Sequence, residues 1–136
     1  MKLKTHKGVV VKKIPWRGPK PSGFAAFGRI YLRNEYWQEW NSGKASPKTL
    51  SYLAHEYTHI KRMGMGLTSG VYYWLNPKFR YQEELAAIRE EMKVLKKHKA
   101  SFNIEKRARD LSSFAYLWCT NYKTAKEELE KAWKEV

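Results

Sequence analysis

Apolar and polar positions change period along this chain, and the change marks its elements. Gly8 to Ile14 reads Gly-Val-Val-Val-Lys-Lys-Ile, a β-branched run that predicts a strand. Residues 15–23 hold Pro15, Gly18, Pro19, Pro21 and Gly23 and predict a loop. Phe24 to Arg33 predicts a second strand, after which Trp37 and Trp40 lead to a turn at Asn41-Ser42-Gly43. From Ser46 the period is helical. Ser46 can cap free N–H groups and Pro47 presets φ at the first helical position. Leu50, Leu53, Tyr57 and Ile60 then share one face, and Gly64 and Gly66 end the helix. Residues 64–78 predict a glycine-bearing loop around Val71-Tyr72-Tyr73-Trp74, closed by Asn76-Pro77. Phe79 to Lys97 predicts a long helix with Tyr81, Leu85, Ile88, Met92 and Leu95 as its apolar stripe. A third helix starts near Asn103 and aligns Ile104, Ala108, Leu111, Ala115 and Trp118. A fourth starts at Thr124, with Glu127 completing a capping box, and buries Ala125, Leu129, Ala132 and Trp133. The pattern predicts an α+β fold: short N-terminal antiparallel strands packed on about four helices, in one domain over residues 1–136.

His55-Glu56-Tyr57-Thr58-His59 is the short metal motif H-E-x-x-H. Residues four apart project from one side of a helix, so both imidazoles can reach one ion. His55 and His59 lie opposite the Leu50/Leu53/Tyr57/Ile60 stripe, so one face can be buried while the other is aimed into a cleft. Glu56 stands beside the two ligands, placed to take a proton from a metal-bound water. The single cysteine, Cys119, rules out an intrachain disulfide and a thiolate cluster, so a metal here must use histidine and carboxylate. Zinc is the expected ion.

A catalytic zinc needs a third protein ligand and an open fourth position. The candidates are His6, His98 and a carboxylate of the 79–97 helix. His98 sits in a lysine-rich helix end and His6 in a charged N-terminus, so both read as solvated. Glu84 borders the Tyr81/Leu85/Ile88 stripe and should point inward, whereas Glu83 points nearly the opposite way, with Glu90. Glu84 is therefore preferred over Glu83. Ala86 and Ala87 let this helix approach a neighbour closely.

Two histidines and a base on one helix, followed by a glutamate on a later one, resemble the gluzincin zinc metallopeptidases. Glu84-Leu85-Ala86-Ala87 looks like their E-x-x-A pattern, which Glu83-Glu84-Leu85-Ala86 fits as well. The stretch Asn76-Pro77-Lys78-Phe79-Arg80 through Arg89, with Ala108-Arg109-Asp110-Leu111-Ser112-Ser113, is similar to small metallopeptidase-like proteins of phages and prophages. The resemblance implies a minimal zincin-like fold, amide hydrolysis and a polypeptide substrate. One position departs from it: thermolysin-like enzymes place an aspartate four residues after the ligand glutamate to orient a histidine, and here that residue is Ile88, or Ala87 if Glu83 binds. Asp110 on the third helix and a backbone carbonyl are the alternatives. Tyr72, Tyr73 and Tyr116 are candidates to stabilise an oxyanion. The strand Phe27 to Arg33 is a candidate edge for an extended peptide.

Charge adds a field to this picture. The chain carries 27 basic and 13 acidic side chains, net +14, with no acid before Glu35. Weak, non-specific polyanion binding and an acidic or DNA-associated polypeptide partner are expected from it. No helix-turn-helix or RNP-type pattern accompanies the charge, yet a basic nucleic-acid-binding protein with a structural or vestigial zinc site is the competing reading. No apolar run is long enough to span a bilayer, and the N-terminus lacks the apolar stretch of a signal peptide. The expectation is a cytoplasmic protein without a membrane partner.

Overall fold

A computed structural model describes residues 4–64, 67–113, 116 and 118–136. Its fold is α+β, with the sheet at the N-terminal end and the helices after it. Strands β1 (Thr5–His6), β2 (Val9–Lys13), β3 (Gly23–Ala26) and β4 (Arg29–Leu32) lie in the order β1-β2-β4-β3. The β1–β2 and β3–β4 pairs are antiparallel, but β2 and β4 are parallel, with Val11 opposite Ile30 and Lys13 opposite Leu32. The all-antiparallel expectation fails at that pair, because the loop of residues 14–22 carries the chain past the place that β4 later fills.

The expected single strand over 24–33 is a hairpin. Ala26 pairs with Arg29, leaving Phe27 and Gly28 as a two-residue turn with φ of 51° and 72°. Both central residues at positive φ make a turn whose twist suits a hairpin. A phenylalanine at the first of them hid the turn inside an apolar run. One face of the sheet, through Val11, Ile30 and Leu32, packs with Tyr36 and Leu53 into the first core.

Tyr36 belongs to helix α1 (Asn34–Asn41), a helix that two tryptophans and a turn signal did not predict. Helix α2 (Pro47–Met63) starts and stops where expected: Ser46 Oγ accepts from the Thr49 N–H, and left-handed Gly64 closes the last turn. Residues 64–78, expected as loop, contain helix α3 (Leu67–Leu75). Asn76 separates it from α4 (Pro77–Lys97) and caps α4 by accepting from the Phe79 N–H at 3.0 Å. Helix α5 (Ile104–Leu111) is shorter than predicted: Ser112 follows its end, Ala115 lies outside the described residues, and Trp118 is off the helix. Helix α6 (Tyr122–Glu135) is capped by Asn121, whose side chain accepts from the Thr124 N–H at 2.8 Å. Thr124 is thus inside the first turn, and the capping box with Glu127 is not formed.

The described residues therefore hold six helices, not about four. Ile88 and Met92 of α4 pack with Ala108, Leu111, Ala125, Leu129 and Ala132 into a second core. Helix α4 presents its other side to α2, and a row of buried polar side chains lies along that seam.

Candidate metal centre

The two faces of α2 divide as the sequence pattern requires. Leu53, with Leu50, Tyr57 and Ile60, packs toward the sheet. His55, Glu56 and His59 are buried on the other side, facing α4. One helical turn brings His55 Nε2 within 3.2 Å of His59 Nε2. From α4, Glu84 closes the triangle: Oε2 lies 3.2 Å from His55 Nε2 and Oε1 3.2 Å from His59 Nε2. All three side chains are buried and their donor atoms lie within 4.8 Å of one another, so the group could hold a metal ion. Ligands bound tetrahedrally at about 2.0–2.1 Å stand about 3.3 Å apart, close to the edges of this triangle. Apart from its approach to His55, Glu84 Oε2 has no partner among the described residues, which suits an atom that could meet an ion.

No family model, no curated protein and no solved structure matches this chain.

The arrangement around the triangle defines its chemistry. His55 Nδ1 lies 2.9 Å from Glu91 Oε1. Because an ionised carboxylate only accepts, a proton belongs on Nδ1, and Nε2 is the nitrogen that faces Glu84 and His59, where its lone pair would be free for an ion once its own proton is lost. Glu91 is in turn gripped from α5 by Arg107, whose Nη1 and Nη2 donate to Oε1 and Oε2 at 3.0 and 2.7 Å. Burial alone would raise the Glu91 pKa, but Arg107 and His55 hold it below the ordinary carboxylate value. Glu84 follows the same pattern more strongly: burial opposes its charge, and His59 and His55 overcome that. In the absence of an ion, burial works against a charged His55, yet hydrogen bonds to Glu84 and Glu91 push its pKa up to about 10. Tyr73 of α3 donates from its hydroxyl to Glu84 Oε1 at 2.5 Å and orients that carboxylate.

Glu56 behaves differently. Burial raises its pKa above the ordinary value, and the two histidines only partly offset this. Its side chain lines a cavity of about 490 Å³ together with His55, His59 and Glu84. Phe24, Ala25 and Ala26 of β3 form one wall of that space, and Met63, Gly70 and Trp74 another. A smaller cavity of about 340 Å³ meets it at His55 and Glu56 and is lined by Lys20, Arg33 and Lys106. A further cavity of about 490 Å³, between the start of α2 and Phe102, touches Glu91 but none of the three donors.

The structure thus brings His55, His59, Glu84 and Glu56 together and leaves the other candidates elsewhere. Glu83 is buried, not solvated, and is held by Arg62, whose Nε and Nη2 donate to its two oxygens at 2.9 and 3.0 Å. That bond ties α2 to α4 beside the centre. His6 stacks edge-on against Tyr57 on the sheet side of α2. His98 follows the end of α4 and is exposed. Asp110 pairs with Lys106 at 3.1 Å. Of the tyrosines, Tyr72 is exposed and accepts from Asn76, Tyr73 is engaged with Glu84, and Tyr116 lines the cavities. The strand bordering the site is β3, at the sheet edge; β4, within the expected 27–33 strand, is interior.

Glu91 and Arg107 were not anticipated. The signal was present: seven residues are two helical turns, so Glu91 returns to the Glu84 face of α4. Buried Arg80 was missed as well. It donates to the carbonyls of Tyr73 and Trp74 at the end of α3 and to that of Tyr116.

Proposed function

We propose that the chain is a zinc-dependent hydrolase, most simply a metallopeptidase, in which His55, His59 and Glu84 hold the ion and Glu56 is the general base. The observation that carries this reading is the closed triangle of buried donors with a fourth, non-ligating carboxylate beside it on a cavity. A structural zinc takes four protein ligands, whereas three leave a position for reactants. The set of imidazoles and carboxylate suits zinc, and the ion would supply a polarised carbonyl and a water acidified to a pKa of about 7.

The protein residues do the rest. Glu91 and Arg107 fix the His55 tautomer, Tyr73 fixes the rotamer of Glu84, and burial excludes bulk water from all three donors. Glu56 takes a proton from the attacking water on its carboxylate and returns it to the leaving amine. Its raised pKa suits both halves of that cycle. Strand β3 is the edge strand of the sheet and lines the cavity, and an extended polypeptide can add to it as a further strand. The likeness to gluzincins rests on the motif and this geometry.

Glu56→Gln tests the assignment because it keeps shape and removes the base. Zinc content by metal analysis and the thermal midpoint should match the parent protein. Chelator-sensitive cleavage in a screen of denatured casein and mixed peptides should fall by about 10²–10⁴-fold, the usual contribution of a positioned base. Loss of zinc in Glu56→Gln would make Glu56 a ligand instead. Zinc-replete protein that cleaves no amide would favour the basic, nucleic-acid-binding alternative.

A further inference from the structure

Six large apolar side chains stand exposed on helix α3, the β3–β4 tip and the segment at Trp118, and one of them, Trp74, lines the metal-centre cavity. Phe27 is 76% exposed at the tip of the β3–β4 hairpin, and Leu75 is 77% exposed at the end of α3. Val71, Tyr72 and Trp74 project from the same helix, and Trp118 is 63% exposed. Ala26, beside Phe27, lines the same cavity as Gly70 and Trp74. Arg80 gathers the carbonyls of Tyr73, Trp74 and Tyr116, which sets the Trp118 segment against the end of α3.

Two of the six are displayed by backbone that disfavours them. Phe27 has φ 51° and Trp118 φ 49°, in the left-handed region where bulky residues are rare. The hairpin turn ordinarily takes Asn-Gly, and this chain has Phe-Gly. With its ring mostly in water, Phe27 gains little packing in return. A strained position that presents an aromatic ring to solvent points to an interaction outside the fold.

Charge identifies the kind of partner. No charged side chain occurs from Met63 to Pro77, while Lys61 and Lys78 flank that stretch and Arg29 adjoins the hairpin tip, all three exposed. The whole chain carries +14. An uncharged stretch that displays tryptophan, tyrosine, leucine and valine, with exposed cations on either side of it in the chain, matches the layers of an anionic bilayer surface. Apolar and aromatic side chains enter the boundary of acyl chains and headgroups, and lysine and arginine meet the phosphates. Nucleic acid offers no comparable place for Val71 and Leu75. None of the described helices is long and apolar enough to cross a membrane, so the contact is interfacial. We propose that α3, the β3–β4 tip and Trp118 form a docking surface for an anionic lipid bilayer, seating the mouth of the metal-centre cavity at the membrane surface.

Vesicle flotation of the full chain tests this, using phosphatidylcholine alone and an equal mixture with phosphatidylglycerol. The parent protein should float with the anionic vesicles and not with the neutral ones, and its tryptophan emission should shift to the blue on binding. Phe27→Asn with Leu75→Ser should weaken that binding by about tenfold or more, since two large apolar side chains are withdrawn and no charge is changed. Phe27→Asn alone should also melt no lower than the parent, because Asn suits the turn. That control separates lost docking from lost folding. The proposal is overturned if the parent ignores anionic vesicles, or if the double variant binds them as well as the parent does, which would leave charge alone as the cause. It is equally overturned if vesicles are ignored while gel filtration shows self-association that the double variant loses.

Discussion

His55 shows how a single residue can be half legible. The H-E-x-x-H spacing marks it as a candidate ligand, and helical geometry adds Glu84 as another, but nothing in the motif says what faces the other nitrogen. The aspartate position of thermolysin-like enzymes holds Ile88, which is in the second core, and the partner lies one turn further on, at Glu91. The grip of Arg107 on Glu91 links two helices, so it cannot be read from the spacing on either one. Glu91→Gln keeps the shape of the side chain but weakens its hold on the Nδ1 proton and leaves Arg107 short of a counter-charge. Zinc affinity, measured by competition with a chromophoric chelator, should fall by about 10–100-fold, the usual effect of removing such a partner. Glu84→Gln should cost at least as much, and Glu83→Gln should leave affinity near the parent value while lowering the thermal midpoint, because Arg62 loses its partner. Equal affinity in the parent and Glu91→Gln would show that His55 is oriented by something else.

At the scale of elements, what could be read depended on whether a signal was local. Ser46-Pro47 and Gly64 bound α2 correctly because a cap and a left-handed glycine act within one turn. The parallel β2–β4 pair, the hairpin within 24–33 and helix α3 are not legible in the local pattern because tertiary placement decides them. Helix α3 has a glycine and a serine inside it and no charges, but Arg80, from the next helix, collects its last carbonyls. Gly23 is another residue whose purpose is visible only once elements meet. A Cβ there would come 3.0 Å from the Tyr31 carbonyl oxygen, 3.2 Å from Leu32 Cδ2 and 3.7 Å from Glu56 Cγ. The carbonyl belongs to the paired strand β4 and has little room to retreat. Gly23→Ala should therefore lower stability by about 1–3 kcal/mol, as overpacking does. On the proposed reading it should also reduce catalysis more than zinc content, since Glu56 is the residue of the centre that the added methyl group comes nearest to. An alanine variant that melts and turns over like the parent would show that β3 has slack.

For the molecule as a whole, the seam between α2 and α4 combines fold and site. It buries Glu56, Glu83, Glu84 and Glu91, with Arg107 set against Glu91 from α5. Burying so many charges is tolerable only if each is compensated. Arg62 serves Glu83 and Arg107 serves Glu91, which leaves Glu84 to the two histidines, and Glu56 is offset by the same histidines only in part. Without an ion, the raised pKa of His55 keeps an imidazolium between Glu84 and Glu91, and the chelated protein should remain folded. That contribution is complete below the unfolded histidine value of about 6.5 and fades as pH rises toward 10. Zinc and this proton exclude one another, so zinc should stabilise the fold more at pH 8.5 than at pH 6. An ion present at about 100 times its dissociation constant adds about 2.7 kcal/mol. At about 2.1 cal/mol/K of unfolding entropy per residue, that corresponds to a rise of about 10 °C for a chain of 136 residues. Scanning calorimetry of chelated and zinc-loaded protein at the two pH values should show the rise and its growth with pH. His59→Ala should abolish both. A midpoint indifferent to zinc at either pH would mean that the buried triangle does not bind it.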